Sequence, residues 1–274
     1  MIIARTLTEL EAARAALGPI GFAPTMGALH EGHIALIAAA RQAGLTPAAS
    51  IFVNPTQFGP NEDLSRYPRD EAGDLAKLDQ AGCALVWLPC VETMYPADEA
   101  TSLQVAGPSR LWEGAIRPGH FNGVATVVAK LFGQMRPEAA FFGEKDWQQV
   151  QVVRRMVADL YLPVRIVPVA TVREADGLAK SSRNRYFSSQ ERALAPYLPA
   201  VMRDAARRIE TGEAVEATLA AAHKALTGHG LVPDYLALVA AESLEPINVL
   251  QSPARLIAAA RLGPVRLLDN LAVG

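Results

Sequence analysis

From residue 18 to about 170, short apolar runs alternate with longer stretches whose apolar residues recur every three or four positions. The short runs, at 20–24, 48–53, 84–88, 139–142 and 164–167, read as strands. They are apolar on nearly every residue rather than on alternate ones, the pattern of strands covered on both faces. The stretches at 33–43, 70–81, 124–135 and 147–159 carry helical periodicity. Gly44 and Gly82 stand where the first two of these helices would end. Such alternation predicts an α/β fold, a Rossmann-like parallel sheet with helices on both faces.

The pattern changes after Arg173. Ser188-Ser189-Gln190-Glu191 is a capping box that opens a helix reaching about residue 210. A second helix covers 215–226 and ends near Gly228, and strand candidates follow at 235–240, 256–260 and 265–268. This predicts a smaller C-terminal α+β domain, so that residues 1–172 form the first domain and residues 173–274 a second one that closes over the active site.

Composition narrows the class. With 274 residues, half of them hydrophobic, the chain can bury a substantial core in one large or two unequal domains. A net charge of -2 gives no basic field for nucleic acid. No run reaches the roughly 18 continuous apolar residues of a membrane span, and residues 1–6 lack a signal-peptide core. Two cysteines, Cys83 and Cys90, build neither a disulfide framework nor a four-ligand zinc site. These features predict a soluble cytoplasmic protein with no nucleic-acid or membrane partner.

Candidate chemistry concentrates where strands give way to helices. Pro24-Thr25-Met26-Gly27-Ala28-Leu29-His30-Glu31-Gly32-His33 leaves the first strand and enters a helix. A helix start offers unpaired N–H groups and a positive dipole end to a phosphate, and two imidazoles beside it can donate hydrogen bonds to the same anion. A plain polar cap and a zinc pair are the alternatives, but helical zinc pairs usually stand at i and i+4 rather than i and i+3. Phe142-Gly143-Glu144-Lys145-Asp146-Trp147-Gln148-Gln149 repeats the arrangement after another strand. Gly143 would let a ligand approach the backbone, Lys145 offers a cation to phosphate, Asp146 can accept from ribose hydroxyls, and Gln149 points back to the sheet edge; an ordinary helix start is the alternative.

Lys180-Ser181-Ser182-Arg183-Asn184-Arg185 is a basic, hydroxyl-rich loop suited either to clamping a polyphosphate or to a solvated linker. Ile51-Phe52-Val53-Asn54-Pro55-Thr56-Gln57-Phe58 turns at a sheet edge and presents Gln57 and Asn54. Glu113 to Gly123 forms a Gly/Pro-shaped loop that brings Arg117 or His120 near the site or serves as a structural element. Neither a Walker A motif nor a G-x-G-x-x-G after a strand is present.

In this order, PTMGALHEGH, IFVNPTQF, EGAIRPGHFNGV, FFGEKDWQQ and DGLAKSSRNRY, together with the tail Arg266-Leu267-Leu268-Asp269-Asn270, resemble the pantothenate synthetase (pantoate–β-alanine ligase) family of the nucleotidyltransferase superfamily. The resemblance implies ATP-dependent condensation of pantoate with β-alanine through a pantoyl adenylate, releasing AMP and pyrophosphate. It implies ATP contacts along Met26, Gly27, Ala28, Leu29, His30, Glu31, Gly32 and His33, with His33 as proton donor. Gly143, Glu144, Lys145 and Asp146 would hold ribose and phosphate, Val172 the adenine, and Lys180, Ser181, Ser182 and Arg183 would close over the phosphates. His30, His33, Lys145 and Arg183 are thereby the candidate catalytic residues. Gln57 would hold pantoate and β-alanine, and Gln149 pantoate. Mg²⁺ is expected with ATP, touching Asp74 directly or through water, and the loop at 176–184 is expected to be mobile without nucleotide. A homodimer through the first domain is implied, with the apolar helix at 124–135 contributing. The family usually carries Leu or Met where Lys180 stands. Two rivals are a nucleotidyltransferase acting on a phosphate ester and a nucleotide-binding scaffold without chemistry.

Overall fold

The computed structural model describes residues 1–60 and 62–274. The chain forms two compact units, Met1–Gly143 with Gln149–Ala170, and Glu144–Gln148 with Thr171–Gly274. The sequence pattern predicts the division after residue 172 and leaves 144–148 in the first part. Those five residues instead go with the second unit, because its strands hold their backbone and the Trp147 indole.

In the first unit the strands are β1 (Ile2–Ala4), β2 (Ile20–Thr25), β3 (Thr46–Ile51), β4 (Leu85–Trp87), β5 (Ala139–Gly143) and β6 (Arg165–Val169). They lie in the order β1-β4-β3-β2-β5-β6, and every neighbouring pair is parallel. Its helices are α1 (Leu7–Ala15), α2 (Glu31–Gln42), α3 (Glu71–Gln80), α4 (Val91–Met94), α5 (Glu113–Ile116), α6 (His120–Met135) and α7 (Trp147–Asp159), the first two residues of α7 belonging to the second unit. Register sets Phe22, Ala48 and Leu85 in one row and Ala23, Ala49 and Val86 in the next. Strand alternation sends these rows to opposite faces. Ala23, Ala49 and Val86 pack against Leu36, Ile37 and Leu78 of α2 and α3. On the other face Trp87, two residues beyond Leu85 along β4, donates its indole N–H to Gln134 of α6 at 2.9 Å. Both faces are thus covered, as the apolar strands predict.

The strand order reverses between β2 and β5, since the chain runs from β2 out to β4 before returning to β5. Ligands of open α/β sheets bind outside the carboxyl ends of strands at such a switch point. A proline helps to open it. Backbone groups of even-numbered β2 residues face β5, as the bond from Glu138 N to Ile20 O requires. Pro24 therefore offers β5 no N–H, and the β2–β5 ladder covers only Gly21 and Phe22.

The second unit holds an antiparallel sheet of β7 (Val232–Ala240), β8 (Ala254–Leu262) and β9 (Val265–Val273), in that order. Its helices are α8 (Ser189–Leu194), α9 (Tyr197–Glu210) and α10 (Val215–Gly228). Leu198, Met202, Ile209, Leu226, Leu238, Leu256 and Leu267 form its core. The capping box is present, with Ser188 and Glu191 exchanging side-chain to backbone bonds of 3.3 and 2.8 Å. The single helix predicted to follow it is broken, because Pro196 has no N–H to continue the ladder and instead caps α9. β9 runs five residues beyond its predicted end, and Asp269 and Asn270 are buried within it. Among the described residues, no helix is long and apolar enough to cross a membrane.

Candidate active site

The turn after β2 is built on a buried carboxylate. Thr25 Oγ1 donates to Ser50 O at 2.7 Å and accepts from Gly27 N at 3.3 Å, closing the strand end. The backbone then turns through positive φ at Gly27 (81°) and Ala28 (50°). That path aims two successive N–H groups at Asp74 of α3: Ala28 N donates to Oδ2 at 2.7 Å and Leu29 N to Oδ1 at 2.8 Å. Asp74 is 1% exposed. A Cβ on Gly27 would lie 2.9 Å from Asp74 Oδ2, so the approach needs glycine. Lys77 seals the arrangement, donating to Leu29 O at 2.9 Å and lying 3.7 Å from Asp74 Oδ1.

A Mg²⁺ contact at Asp74, direct or through water, would share the carboxylate with this network. Both carboxylate oxygens accept from backbone donors, and the Lys77 ammonium lies 3.7 Å from Oδ1. Asp74 is the anchor of the turn. Asp74→Asn leaves one of the two buried N–H groups facing an amide NH₂, which is expected to lower unfolding stability by about 1–3 kcal/mol. A shifted denaturant midpoint at constant m-value checks this.

The two histidines cap α2 reciprocally. His30 Nδ1 accepts from Gly32 N at 3.1 Å, and His33 Nδ1 accepts from His30 N at 3.2 Å. The rings lie 4.2 Å apart between centroids. A Cβ on Gly32 would stand 2.8 Å from His30 Cε1, so the glycine between the histidines makes room for the ring. A nitrogen that accepts carries no proton, so this network assigns each neutral ring its proton on Nε2. The imidazoles therefore serve two ends: Nδ1 completes the helix cap, and Nε2–H is a donor.

Gln57 stands in a second network of the same unit, on the turn that leaves β3. Its Oε1 accepts from Asn54 Nδ2 at 3.0 Å, and its Nε2 lies 3.1 Å from Met26 Sδ, on the histidine turn. Asn54 is 1% exposed; it also donates to Gly123 O at 3.2 Å and accepts from the Tyr95 hydroxyl at 2.6 Å. The sequence marks Asn54 only as a neighbour of Gln57, and nothing local signals the partners that Tyr95 and Gly123 bring from distant segments.

Arg117 and His120, left open as site or structural residues, hold the main chain of Gln57. His120 Nδ1–H donates to Gln57 O at 2.9 Å, and its Nε2 accepts from Arg117 at 3.0 Å. Arg117 in turn grips Glu62 with two bonds of 2.7 and 2.6 Å. Desolvation, then the charge of Arg117, pushes the His120 pKa below its ordinary 6.5, against the opposing pull of Gln57 O, Glu62 and Glu113. The unfolded chain thus takes up this proton at a higher pH than the folded one. The stabilisation is complete above about pH 6.5 and is lost as pH falls toward the depressed value. His120→Asn is expected to shrink the loss of unfolding temperature between about pH 7 and pH 5, read by thermal melts of both proteins.

Gly143 ends β5 beside β2, and a Cβ there would meet no atom within 4 Å. Packing does not require this glycine, and open room at a strand end suits a ligand. Gln149 is half-buried in α7.

The second unit carries the other expected residues. Lys145 Nζ lies 3.3 Å from Asp146 Oδ1. Glu144, expected among the nucleotide contacts, pairs its carboxylate with Arg255 at 3.0 Å. Val172 O accepts from Lys180 N at 3.0 Å, at the root of a hairpin in which Arg173 bridges Ala179. Lys180, at the position where the family usually has Leu or Met, pairs with Glu174 at 3.2 Å. Ser181 caps the following 3₁₀ turn, Ser182–Tyr186, by accepting from Arg183 N at 3.3 Å.

Cys83 is a core residue whose thiol burial pushes up to about 11, whereas Cys90 is exposed ahead of α4 and outside the core. α6 turns Val124, Val127, Val128, Leu131, Phe132 and Met135 into its own unit, so these are not free to build a dimer contact.

The family model described as pantoate-beta-alanine ligase matches residues 2–272. The chain belongs to the pantoate-β-alanine ligase family. It is 60% identical over 278 residues to the pantothenate synthetase of Acidiphilium cryptum (strain JF-5), covering all of both chains. It is 56% identical to that of Granulibacter bethesdensis, over 99% of this chain and 96% of the relative. Among solved structures, pantothenate synthetase from Thermus thermophilus superposes with a TM-score of 0.94 at 50% identity, covering 99% of each chain. The Francisella tularensis pantoate-beta-alanine ligase, solved with beta-gamma ATP and beta-alanine, superposes at 0.83 with 32% identity, over 99% of this chain and 97% of that one. The α/β fold with its smaller antiparallel unit is therefore the fold of this ligase family, and the chain is an enzyme of that class.

Proposed function

We propose that this ligase condenses pantoate with β-alanine in two steps, using ATP to make a pantoyl adenylate. A carboxylate at neutral pH has no leaving group. Its oxygen attacks the α-phosphorus, the bond to the β-phosphate oxygen breaks, and pyrophosphate departs with the electron pair. The β-alanine amine then attacks the acyl carbonyl, and AMP leaves as the amide forms. The observation that carries this reading is the imidazole-capped start of α2 at the sheet's switch point, held open by Asp74. The caps take up Gly32 N and His30 N, so the phosphate is drawn by the positive end of the helix dipole and by two Nε2–H donors, whose hydrogen bonds strengthen as charge moves onto pyrophosphate.

The nucleotide reading extends to residues 26–33, 143–146, Val172 and the loop Lys180, Ser181, Ser182 and Arg183, with Lys145 and Arg183 as cations toward the phosphates. Gln57 is proposed to hold pantoate and β-alanine, because a substrate oxygen offers its Nε2 a better acceptor than Met26 Sδ does. Gln149 is proposed as a second pantoate contact. His33 is proposed as the proton donor to the leaving group. As capped, the neutral ring can give a hydrogen bond, while giving up a proton requires a second proton on Nδ1 and loss of the cap.

Among the described residues, no group of three or more His, Cys, Asp or Glu is placed to hold a metal. Mg²⁺ would enter with ATP as the MgATP substrate, carried by phosphate oxygens and its own waters. A homodimer through the first unit is retained as a proposal on the family resemblance, to be read by sedimentation. The deciding experiment is isotope exchange between pyrophosphate and ATP. Exchange that requires pantoate, with AMP and pantothenate formed one for one when β-alanine is added, supports the reading. Exchange without pantoate points to a different acceptor, and no exchange or AMP formation points to binding without chemistry.

A further inference from the structure

Two consecutive residues of β9 have no role in the reaction as described, yet both are buried and each bonds to segments distant in sequence. We propose that Asp269 and Asn270 are a positioning pair that sets the geometry of the cations Lys145 and Arg183; this rests on the nucleotide reading given above. Alternation along the strand gives the two side chains different partners.

Asn270 works on Lys145. Its single amide nitrogen donates to Glu144 O at 2.8 Å and to Lys145 O at 2.9 Å. These carbonyls belong to the peptide before Lys145 Cα and the peptide after it. With both peptide planes held, the direction of the Lys145 Cα–Cβ bond is fixed. The amide cannot turn over, because Oδ1 accepts from Arg255 at 2.6 Å. Arg255 is locked in its turn by Glu144 Oε2 at 3.0 Å and by the Trp147 ring, 3.6 Å from the guanidinium carbon. Trp147 is pinned through its indole N–H to Ala241 O at 2.6 Å.

Asp269 works on the root of the basic loop. Its carboxylate receives both guanidinium nitrogens of Arg173, at 2.7 and 2.8 Å, and the N–H of Asn270 at 2.8 Å. Arg173 also donates to Gly177 O at 3.0 Å, inside the hairpin that leads to Lys180 and Arg183. Asp269 and Asn270 are 2% and 5% exposed, so water competes little for these bonds. One rigid strand thus carries both cationic elements in register. Charge stabilisation of a leaving phosphate depends on such preorganisation.

Asn270→Asp is the informative change. It keeps the acceptor for Arg255 and sets a carboxylate oxygen against the two carbonyls, so Lys145 loses its setting while the strand remains. The expected result is a loss of about 10- to 100-fold in kcat for pantoate-dependent pyrophosphate exchange, with KM for pantoate nearly unchanged. The same change made in Lys145→Ala is expected to cost little more, because Asn270 acts through that lysine. ATP affinity by calorimetry is run through the same four proteins, so that coupling is read even without turnover. Asp269→Asn is expected to speed tryptic cleavage at Lys180 and Arg183 in the native enzyme. Independent, multiplicative losses from Asn270→Asp and Lys145→Ala, in exchange and in ATP affinity alike, overturn the proposal. Coupled ATP affinities in an enzyme with no exchange uphold the pair and reject the ligation chemistry instead.

Discussion

His33→Ala is expected to lower the rate of adenylate formation by at least about 10²-fold while leaving the fold intact. Two losses combine. One is a charge-assisted hydrogen bond to the departing phosphate, which contributes roughly 1.5–3 kcal/mol and is felt mainly in the transition state. The other is the bond from His30 N to His33 Nδ1, a helix cap that stabilises by about 0.5–2 kcal/mol and fixes the first turn of α2. The ring is half-buried, so its removal leaves no large cavity. Stopped-flow measurement of pyrophosphate release reads the effect. His33→Gln separates two mechanisms, because its amide can place an N–H close to where Nε2–H stood. A glutamine variant much faster than alanine means that the imidazole works by donating a hydrogen bond. One as slow as alanine means that a donated hydrogen bond alone does not account for the imidazole. Release at the normal rate in His33→Ala removes the residue from the reaction.

The parallel sheet was legible because its strands are apolar on both faces, which leaves few other ways to bury them. The helix after Ser188 was legible through its box but not its length, since a pattern of apolar spacing passes over Pro196. β9 was cut short for the opposite reason. Asp269 and Asn270 look like the end of an apolar run; β8 pairs their backbone, and partners distant in sequence, Arg173, Arg255 and Glu144, satisfy their buried side chains. In the site, the histidine turn was readable because its parts lie within eight residues. Asp74 was singled out as a metal contact and not as the anchor of the turn. A carboxylate on a helix looks the same whether or not it will meet two backbone N–H groups, and the difference rests on the φ angles of Gly27 and Ala28, 46 to 47 residues away. Arg117 and His120 pose the same difficulty: their chemistry suits substrate, yet their partners are Glu62 and a main-chain oxygen.

Gly123→Ala is expected to reduce kcat/KM for pantoate by about 10²-fold, with ATP binding little changed. Gly123 lies in α6, where the turn carrying Gln57 rests directly on the helix. A Cβ there would stand 2.4 Å from Thr56 O, 2.6 Å from Thr56 C and 2.7 Å from Gln57 N. All three are backbone atoms, so no side chain can rotate aside, and the turn must move by close to an ångström. Helix propensity alone favours alanine by about 0.8–1.0 kcal/mol, so a stabilised, fully active variant would show that α6 and the turn can separate at no expense to the site. The turn has little slack to give. Asn54 ties it to Gly123 O, and His120 holds Gln57 O from the same helix. Displacement of Gln57 is therefore the expected outcome, felt where pantoate is proposed to bind and not at the histidine turn that Asp74 anchors separately. Calorimetric titration of each substrate into the variant separates the two effects: pantoate affinity should fall and ATP affinity hold. Equal losses for both ligands would place Gln57 and the imidazoles in one deformable site and remove the division of labour between them.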